Sequence, residues 1–269
     1  MLRTLAIQVD NQHQHTHTVI VLHGRGCTAG ELTDRIWLVK DHTGQPLPAI
    51  FPHVRWVFPQ AEETFVQQRQ VYEPHWYDLW DHQDPTARPE LAIPGLRSVI
   101  PKLISLIQHE AACVGLRNIV LAGLSQGCAT AIHGLLNYTM NPDPNSHPPR
   151  EEERLCAFVG LSGWMALGGS SVQEAREHLE LDLPHPGPSD YIWRNTPAFI
   201  CHCVNDAVAP VEYGRLLRDN LKSFGDGGDL ERVSGWRTQD QHPARRSGPR
   251  GLLTTAGGCE GGCTKHEVR

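Results

Sequence analysis

The sequence lacks a positive charge excess, a long apolar run and a dense cysteine pattern, and each absence argues against a class of protein. With 24 Lys and Arg against 30 Asp and Glu, the formal net charge is −6, which disfavours a nucleic-acid partner. No segment approaches the roughly 18 consecutive apolar residues of a transmembrane segment, and the first ten residues lack a secretion-signal pattern. Eight cysteines are scattered over 269 residues, so we expect reduced thiols and a cytoplasmic protein.

Hydrophobic patterning along the chain predicts strands that alternate with helices. Unbroken apolar runs indicate strands buried on both faces, and apolar residues at helical spacing indicate amphipathic helices. This alternation implies an α/β fold with a mostly parallel central sheet and helices on both faces. The predicted strands cover residues 18–22, 54–58, 118–123, 155–161 and 197–204, and the predicted helices cover 96–114, 125–138, 171–179 and 211–224. A long polar and aromatic connection, residues 60–94, is predicted as a loop.

The pattern divides the chain into three parts. Residues 1–17 are interpreted as an N-terminal extension and residues 18–234 as one α/β domain, since no linker separates its elements. Residues 235–269 hold seven glycines and show neither a helical nor a strand period, so we predict an irregular tail. We therefore expect closure of the sheet at its C-terminal side to be incomplete.

The segment Gly123-Leu124-Ser125-Gln126-Gly127 carries the G-x-S-x-G pattern between a predicted strand and a predicted helix. In that context the serine lies on a tight, strained turn, and the small residues beside it let strand and helix approach closely. Ser125 is therefore the candidate nucleophile. The alternative is a serine that only caps the helix.

A serine nucleophile needs a histidine base, a carboxylate that orients the base, and donors for the oxyanion. Asp206 follows a predicted strand, where the acid of this fold class is expected, although it can also be a helix cap. The backbone N–H groups of Gln126 and of Arg25, in the turn His23-Gly24-Arg25-Gly26, are the candidate oxyanion donors. The alternative for that turn is a glycine-rich exit from the first strand.

Five motifs follow one another along the chain. They are Val19 to Gly26, Trp76-Tyr77-Asp78, the Gly-Leu-Ser-Gln-Gly elbow, Leu161-Ser162-Gly163-Trp164, and His202 to Asp206 followed by Val208 and Pro210. In this order they resemble the phospholipase/carboxylesterase family of α/β-hydrolases, which includes the acyl-protein thioesterases, and the likeness is greatest to fungal members. The resemblance runs from about residue 18 to about residue 224.

The resemblance implies an α/β-hydrolase fold and hydrolysis of acyl thioesters or carboxylic esters without a cofactor. It implies S-palmitoylated proteins or lysophospholipids as substrates. One departure is Arg25, because the family's thioesterases commonly have leucine there; a backbone donor tolerates the change.

The second departure concerns the catalytic histidine. His242 lies 36 residues after Asp206, at the family's usual distance, but without the glycine that normally precedes the catalytic histidine. His242 is our candidate base, and His266 is a weaker alternative. The competing hypothesis is a catalytically impaired α/β-hydrolase-like protein that lacks a functional histidine.

Several smaller signals remain open between a functional and a structural interpretation. Trp76 and Tyr77, with Tyr72 and Trp80, can line an acyl-binding groove or can pack a loop onto the core. The alternating residues His13, His15 and His17 fit a solvated strand better than a metal site, and the three groups Cys259, Cys263 and His266 are too few for a structural zinc site. We therefore predict no metal and no cofactor.

Overall fold

The computed structural model describes residues 1–66, 68–139, 153–169, 171–183 and 190–224. Within these ranges strands and helices alternate along most of the chain, as the patterning predicts. The strands are β1 (Thr4–Ile7), β2 (His17–Leu22), β3 (Val54–Pro59), β4 (Glu63–Val66), β5 (Val71–Pro74), β6 (Ile119–Leu124), β7 (Ala157–Leu161) and β8 (Ala198–Cys201). The helices are α1 (Ala29–Leu38), α2 (Leu47–Ile50), α3 (Ala92–Val114), α4 (Gln126–Leu136), α5 (Val172–Glu177), α6 (Asp190–Asn195) and α7 (Val211–Phe224).

Six of these strands form one central sheet in the order β1-β3-β2-β6-β7-β8. All neighbours pair in parallel except β1, which runs antiparallel to β3. The chain adds β3 on one side of β2 and then β6 on the other side. The loops after β2 and β6 therefore diverge from adjacent strand ends, which is where open α/β sheets bind their ligands.

The central strands are buried on both faces because helices cover both. Successive side chains of a strand point to opposite faces, and here both sets are apolar. Ile20 and Leu22 of β2 belong to the large cluster that includes α3 and α4, whereas Val21 packs with Ala29 and Leu32 of α1 on the other face. The predicted arrangement of a mostly parallel sheet between helices is confirmed.

The longest helix, α3, tolerates an internal proline. Pro101 costs the helix about 3 kcal/mol through its missing N–H and its ring, yet α3 continues on both sides of it. Leu96, Ile100, Leu103 and Ile107 are fully buried along one face, and this packing outweighs the local cost. The helix ends at Gly115, which has φ +87°.

Some elements were not predicted from the sequence. The edge strand β1 lies in the segment interpreted as an extension, and the antiparallel pair β4–β5 lies in the predicted long loop. Helices α1, α2 and α6 were also not predicted. For α1 a sequence signal exists, because Thr28 and Glu31 form a capping box at its start. The predicted irregular tail, residues 235–269, lies outside the described residues. None of the helices described here is both long enough and apolar enough to cross a membrane.

Candidate active site

The candidate site lies at the carboxyl edge of the central sheet. Parallel strands end at the same edge, so the residues that follow them are brought together by the topology. The turn that begins with His23 follows β2, and Ser125 follows β6. Asp206 is five residues beyond the end of β8. Three of the sequence-predicted groups therefore share one edge.

Ser125 occupies a strained turn between β6 and α4. Its backbone has φ +54° and ψ −121°, a conformation that costs a non-glycine residue about 1–3 kcal/mol. Its N–H donates to the carbonyl of Leu161 at 2.8 Å, which joins the turn to β7. Ser125 is the N-cap residue of α4, but its side chain accepts no hydrogen bond from the helix. The geometry therefore favours the nucleophile elbow over the helix cap.

The two glycines of the elbow are required by close backbone contacts. A Cβ on Gly123 would overlap the carbonyl of Gly127 and lie 2.5 Å from the N of Cys128. A Cβ on Gly127 would overlap Leu22 and lie 2.5 Å from the carbonyl oxygen of His23. The strand, the turn and the start of α4 therefore approach as closely as the motif predicts.

Gly127→Ala is expected to destabilise the protein by about 3 kcal/mol, because the added methyl meets fixed backbone atoms. Urea unfolding of the parent and the variant measures the difference. Gly168→Ala is the matched control, since a Cβ there has no atom within 4 Å. Equal stability of the Gly127 and Gly168 variants would show that the elbow is less closely packed than described.

Two backbone N–H groups beside Ser125 are available to an oxyanion. Gly24 lies next to Ser125, since a Cβ added to Gly24 would be 3.6 Å from the Cβ of Ser125. Within the described part of the chain, the N–H groups of Arg25 and Gln126 donate no hydrogen bond. Both are the predicted donors, and Gln126 is the first residue of α4, where free N–H groups favour a negative charge.

Two buried side chains that sequence reasoning did not assign hold these donors in place. Nδ1 of His23 lies 2.8 Å from the carbonyl of Gly24, and Nε2 accepts the N–H of Ala61 at 3.1 Å. The ring is therefore neutral with its proton on Nδ1, and burial lowers its pKa. The Gln126 side chain is fully buried; it accepts from the N–H of Trp76 at 3.1 Å and donates to the carbonyl of Tyr77 at 2.8 Å.

Asp206 shapes the loop that precedes α7. Its Oδ1 accepts the N–H groups of Val208 at 2.9 Å and Ala209 at 3.0 Å. Both donors lie before the first residue of α7, so these two bonds organise the loop. The Oδ2 atom accepts neither of them, and its described neighbour is Nε2 of His202 at 3.6 Å.

His202 is close to Asp206 but is not arranged as a catalytic base. The ring is buried, and Nε2 donates to the carbonyl of Ala209 at 2.9 Å. A Cβ on Gly214 of α7 would overlap the ring. His202 is therefore enclosed between β8 and α7. The candidate base His242 and the alternative His266 lie outside the described residues.

The predicted substrate-binding aromatics, Trp76 and Tyr77, are both buried. Nε1 of Trp76 donates to the carbonyl of His23 at 2.7 Å. Both side chains also line a cavity of about 460 Å³ together with Phe65 and Val99. Trp76 and Tyr77 are thus packed into the core and also border a cavity, and their role in substrate binding stays a prediction.

The histidines near the N-terminus have local partners. His13 contacts Asp10, His15 contacts Thr18, and His17 is the first residue of β2. Among the described residues, no group of three or more His, Cys, Asp or Glu side chains is placed to hold a metal ion. Cys259 and Cys263 lie outside the described residues.

A central parallel sheet, a strained serine between strand and helix, and an acid after a later strand define the class of α/β-hydrolase folds. The sequence matches the phospholipase/carboxylesterase family over residues 4–242, and the chain belongs to that family of hydrolases. The match ends at His242.

Curated relatives are similar to this chain in sequence, and solved structures are similar to it in fold. Acyl-protein thioesterase 1 of Yarrowia lipolytica is 27% identical over 217 residues, which cover 80% of each chain. Acyl-protein thioesterase 1 of Cryptococcus neoformans is 26% identical over 219 residues, which cover 80% of this chain and 76% of the relative. The fold is similar to that of Zea mays acyl-protein thioesterase 2, with TM-score 0.60, 20% identity and coverage of 90% of this chain and 91% of that chain. It is also similar to that of Arabidopsis thaliana SOBER1, with TM-score 0.59, 18% identity and coverage of 83% and 88%.

Proposed function

We propose that this protein is a serine hydrolase that cleaves acyl thioester or carboxylic ester bonds. The observation that carries the proposal is the conformation of Ser125, which is strained, caps nothing and lies beside two N–H groups that bind nothing in the described residues. Strain of this kind persists where the surrounding packing imposes it, and it is concentrated at functional sites. The names of the fungal relatives support the thioester class.

In the proposed mechanism, Oγ of Ser125 attacks the acyl carbonyl carbon while the catalytic histidine takes the hydroxyl proton. The N–H groups of Arg25 and Gln126 bind the oxyanion that forms. The intermediate collapses, and the departing thiolate or alkoxide takes the proton from the histidine. Water then attacks the acyl-enzyme by the same route, releasing a carboxylic acid and free Ser125.

His242 is proposed as the base, and Asp206 as the group that orients it. The support is the family match, which extends to residue 242, and the second oxygen of Asp206, which accepts neither loop N–H. S-palmitoylated proteins and lysophospholipids are proposed substrates, and the cytoplasm is the proposed compartment. A chain-length series of acyl thioesters, from acetyl to palmitoyl, tests the substrate class.

His242→Ala is expected to lower kcat for a short acyl ester by about 10³-fold or more, since an unassisted serine hydroxyl is a poor nucleophile. His266→Ala is the matched control from the same part of the chain, and we expect its kcat within twofold of the parent. Labelling of the full chain by a fluorophosphonate probe gives an independent readout. Full activity of the His242 variant would contradict this assignment, and a parent that neither labels nor hydrolyses would favour the catalytically impaired alternative.

A further inference from the structure

The side chain of Arg25 forms a buried ion pair with the β4–β5 hairpin. Its Nε donates to Oε1 of Glu73 at 2.6 Å, and the two side chains are only 4% and 12% exposed. Glu73 lies on β5, and its other oxygen accepts from Arg69 at 2.7 Å. A cation in the position where the family's thioesterases commonly have leucine is therefore neutralised inside the protein.

Two further groups from the segment after the hairpin surround the same guanidinium. Nη1 of Arg25 donates to the carbonyl of Leu79 at 3.3 Å and lies 3.2 Å from Nε2 of His82. Arginine only donates, so Nε2 of His82 is the acceptor and the ring is neutral. Burial and the charges of Arg25 and Arg69 lower the pKa of His82, consistent with that state.

The backbone beside Arg25 is fixed to the same hairpin. The N–H of Gly26 donates to the carbonyl of Pro74 at 2.8 Å. On the other side, Gly24 lies next to Ser125, since a Cβ added to Gly24 would be 3.6 Å from the Cβ of Ser125. The N–H of Arg25 thus lies between a residue adjacent to Ser125 and two contacts with β5.

Stabilisation of the fold alone does not explain the ion pair. A buried pair must offset the desolvation of two charges, and an apolar pair of similar size is often equally stable or more stable. Nη2 of Arg25 is also buried without a partner among the described residues, which adds to the cost. The pair does, however, hold the turn that contains Arg25 in a defined position, because the guanidinium bonds several partners in a fixed geometry.

We propose that the Arg25–Glu73 pair positions the turn His23-Gly24-Arg25-Gly26, fixing it to β5 so that the N–H of Arg25 faces the developing charge at Ser125. The inference rests on the proposed function. Arg25 then contributes through its backbone as a donor, and Glu73 acts as a positioning residue that does not touch substrate. A displaced donor weakens the binding of the transition state and not that of the ground state.

Glu73→Gln tests the proposal, because it keeps the size and an acceptor oxygen but leaves the guanidinium uncompensated. Rates are measured with a p-nitrophenyl ester and divided by the active sites titrated with the fluorophosphonate probe. We expect kcat per active site to fall about 10- to 100-fold with KM within twofold. Arg69→Gln removes the outer, half-exposed partner of Glu73, and its kcat is expected within twofold of the parent.

Two further variants keep the test decisive if Glu73→Gln folds poorly. Arg25→Lys keeps the charge but cannot span the three partners, so we expect an approximately tenfold loss of kcat. The double variant R25L/E73L removes both buried charges and the fixed geometry of the pair, so we expect it to be about as stable as the parent but to have a kcat per active site at least tenfold lower. A parental kcat in this variant would overturn the positioning role.

The outcomes separate this inference from the proposed function. An unchanged kcat per active site in Arg25→Lys, or in a folded Glu73→Gln, overturns the positioning role alone. A loss explained entirely by fewer titrated sites shows a merely structural pair and also overturns it. A parent that neither labels nor hydrolyses overturns the proposed function and this inference together.

Discussion

Ser125→Ala is expected to lower kcat for short acyl esters by about 10⁴- to 10⁶-fold and to abolish labelling by a fluorophosphonate probe. The expected loss is large because the substitution removes the oxygen that is proposed to attack the acyl carbon. The structural cost is expected to be small, because the hydroxyl makes no capping hydrogen bond and the Cβ is retained. Alanine also keeps the Cβ that lies next to Gly24, 3.6 Å from where a Cβ on Gly24 would be.

Ser125→Gly tests the same assignment with two measurements that are expected to change in opposite directions, activity falling and stability rising. Glycine adopts φ +54° without the penalty that serine has, which outweighs its greater entropy in the unfolded chain. We expect Ser125→Gly to be inactive but about 1 kcal/mol more stable than the parent in urea unfolding. Appreciable activity in either folded variant would contradict the nucleophile assignment. A less stable glycine variant would contradict the strained turn.

The elements predicted correctly are those whose burial leaves a periodic signal in the sequence. Strands β2, β6 and β7 are apolar on both sides because helices cover both faces, so an unbroken hydrophobic run was sufficient to find them. The face of α3 that meets the core repeats at helical spacing, which identified the helix despite Pro101. Only its start was misjudged, since α3 begins at Ala92.

The missed elements are short or exposed, and their stability comes from distant partners. β1 pairs with β3 more than 40 residues later, and two of its four residues are exposed. The hairpin strands β4 and β5 have four residues each, and most of their side chains face solvent. The hydrophobic pattern of β1 and that of the hairpin strands cannot be told apart from the pattern of a loop. Local strand propensity is a weak signal where tertiary contacts decide the structure.

The candidate site also combines residues that the sequence predicted with contacts that it did not predict. Ser125 and the glycines around it were predicted, because a sharp turn with close backbone contacts permits few residue types and leaves a recognisable motif. The side chain of Gln126 hydrogen-bonds the backbone of Trp76 and Tyr77, and Arg25 pairs with Glu73. These interactions join residues that are 48 to 50 positions apart. No spacing rule connects such pairs, so only the folded chain shows them.

Asp206→Asn is expected to lower kcat by about 10⁴-fold with near-normal stability. The asparagine oxygen can accept the N–H groups of Val208 and Ala209 as Oδ1 of Asp206 does, so the loop before α7 keeps its two bonds. These bonds direct the amide NH₂ to the position of Oδ2. An NH₂ group at that position cannot accept the N–H of the proposed catalytic histidine, which is then held in the wrong tautomer.

Asp206→Ala is the matched control, because it removes both the loop acceptor and the proposed partner of the histidine. We expect it to be as inactive as Asp206→Asn but less stable by about 2 kcal/mol, owing to two unmet backbone donors. Urea unfolding and kcat measured on all three proteins separate the two roles. If Asp206 only organises the loop, then Asp206→Asn will hydrolyse esters at the parental rate and only Asp206→Ala will be impaired. Parental activity of the asparagine variant would therefore assign the orienting carboxylate to another residue.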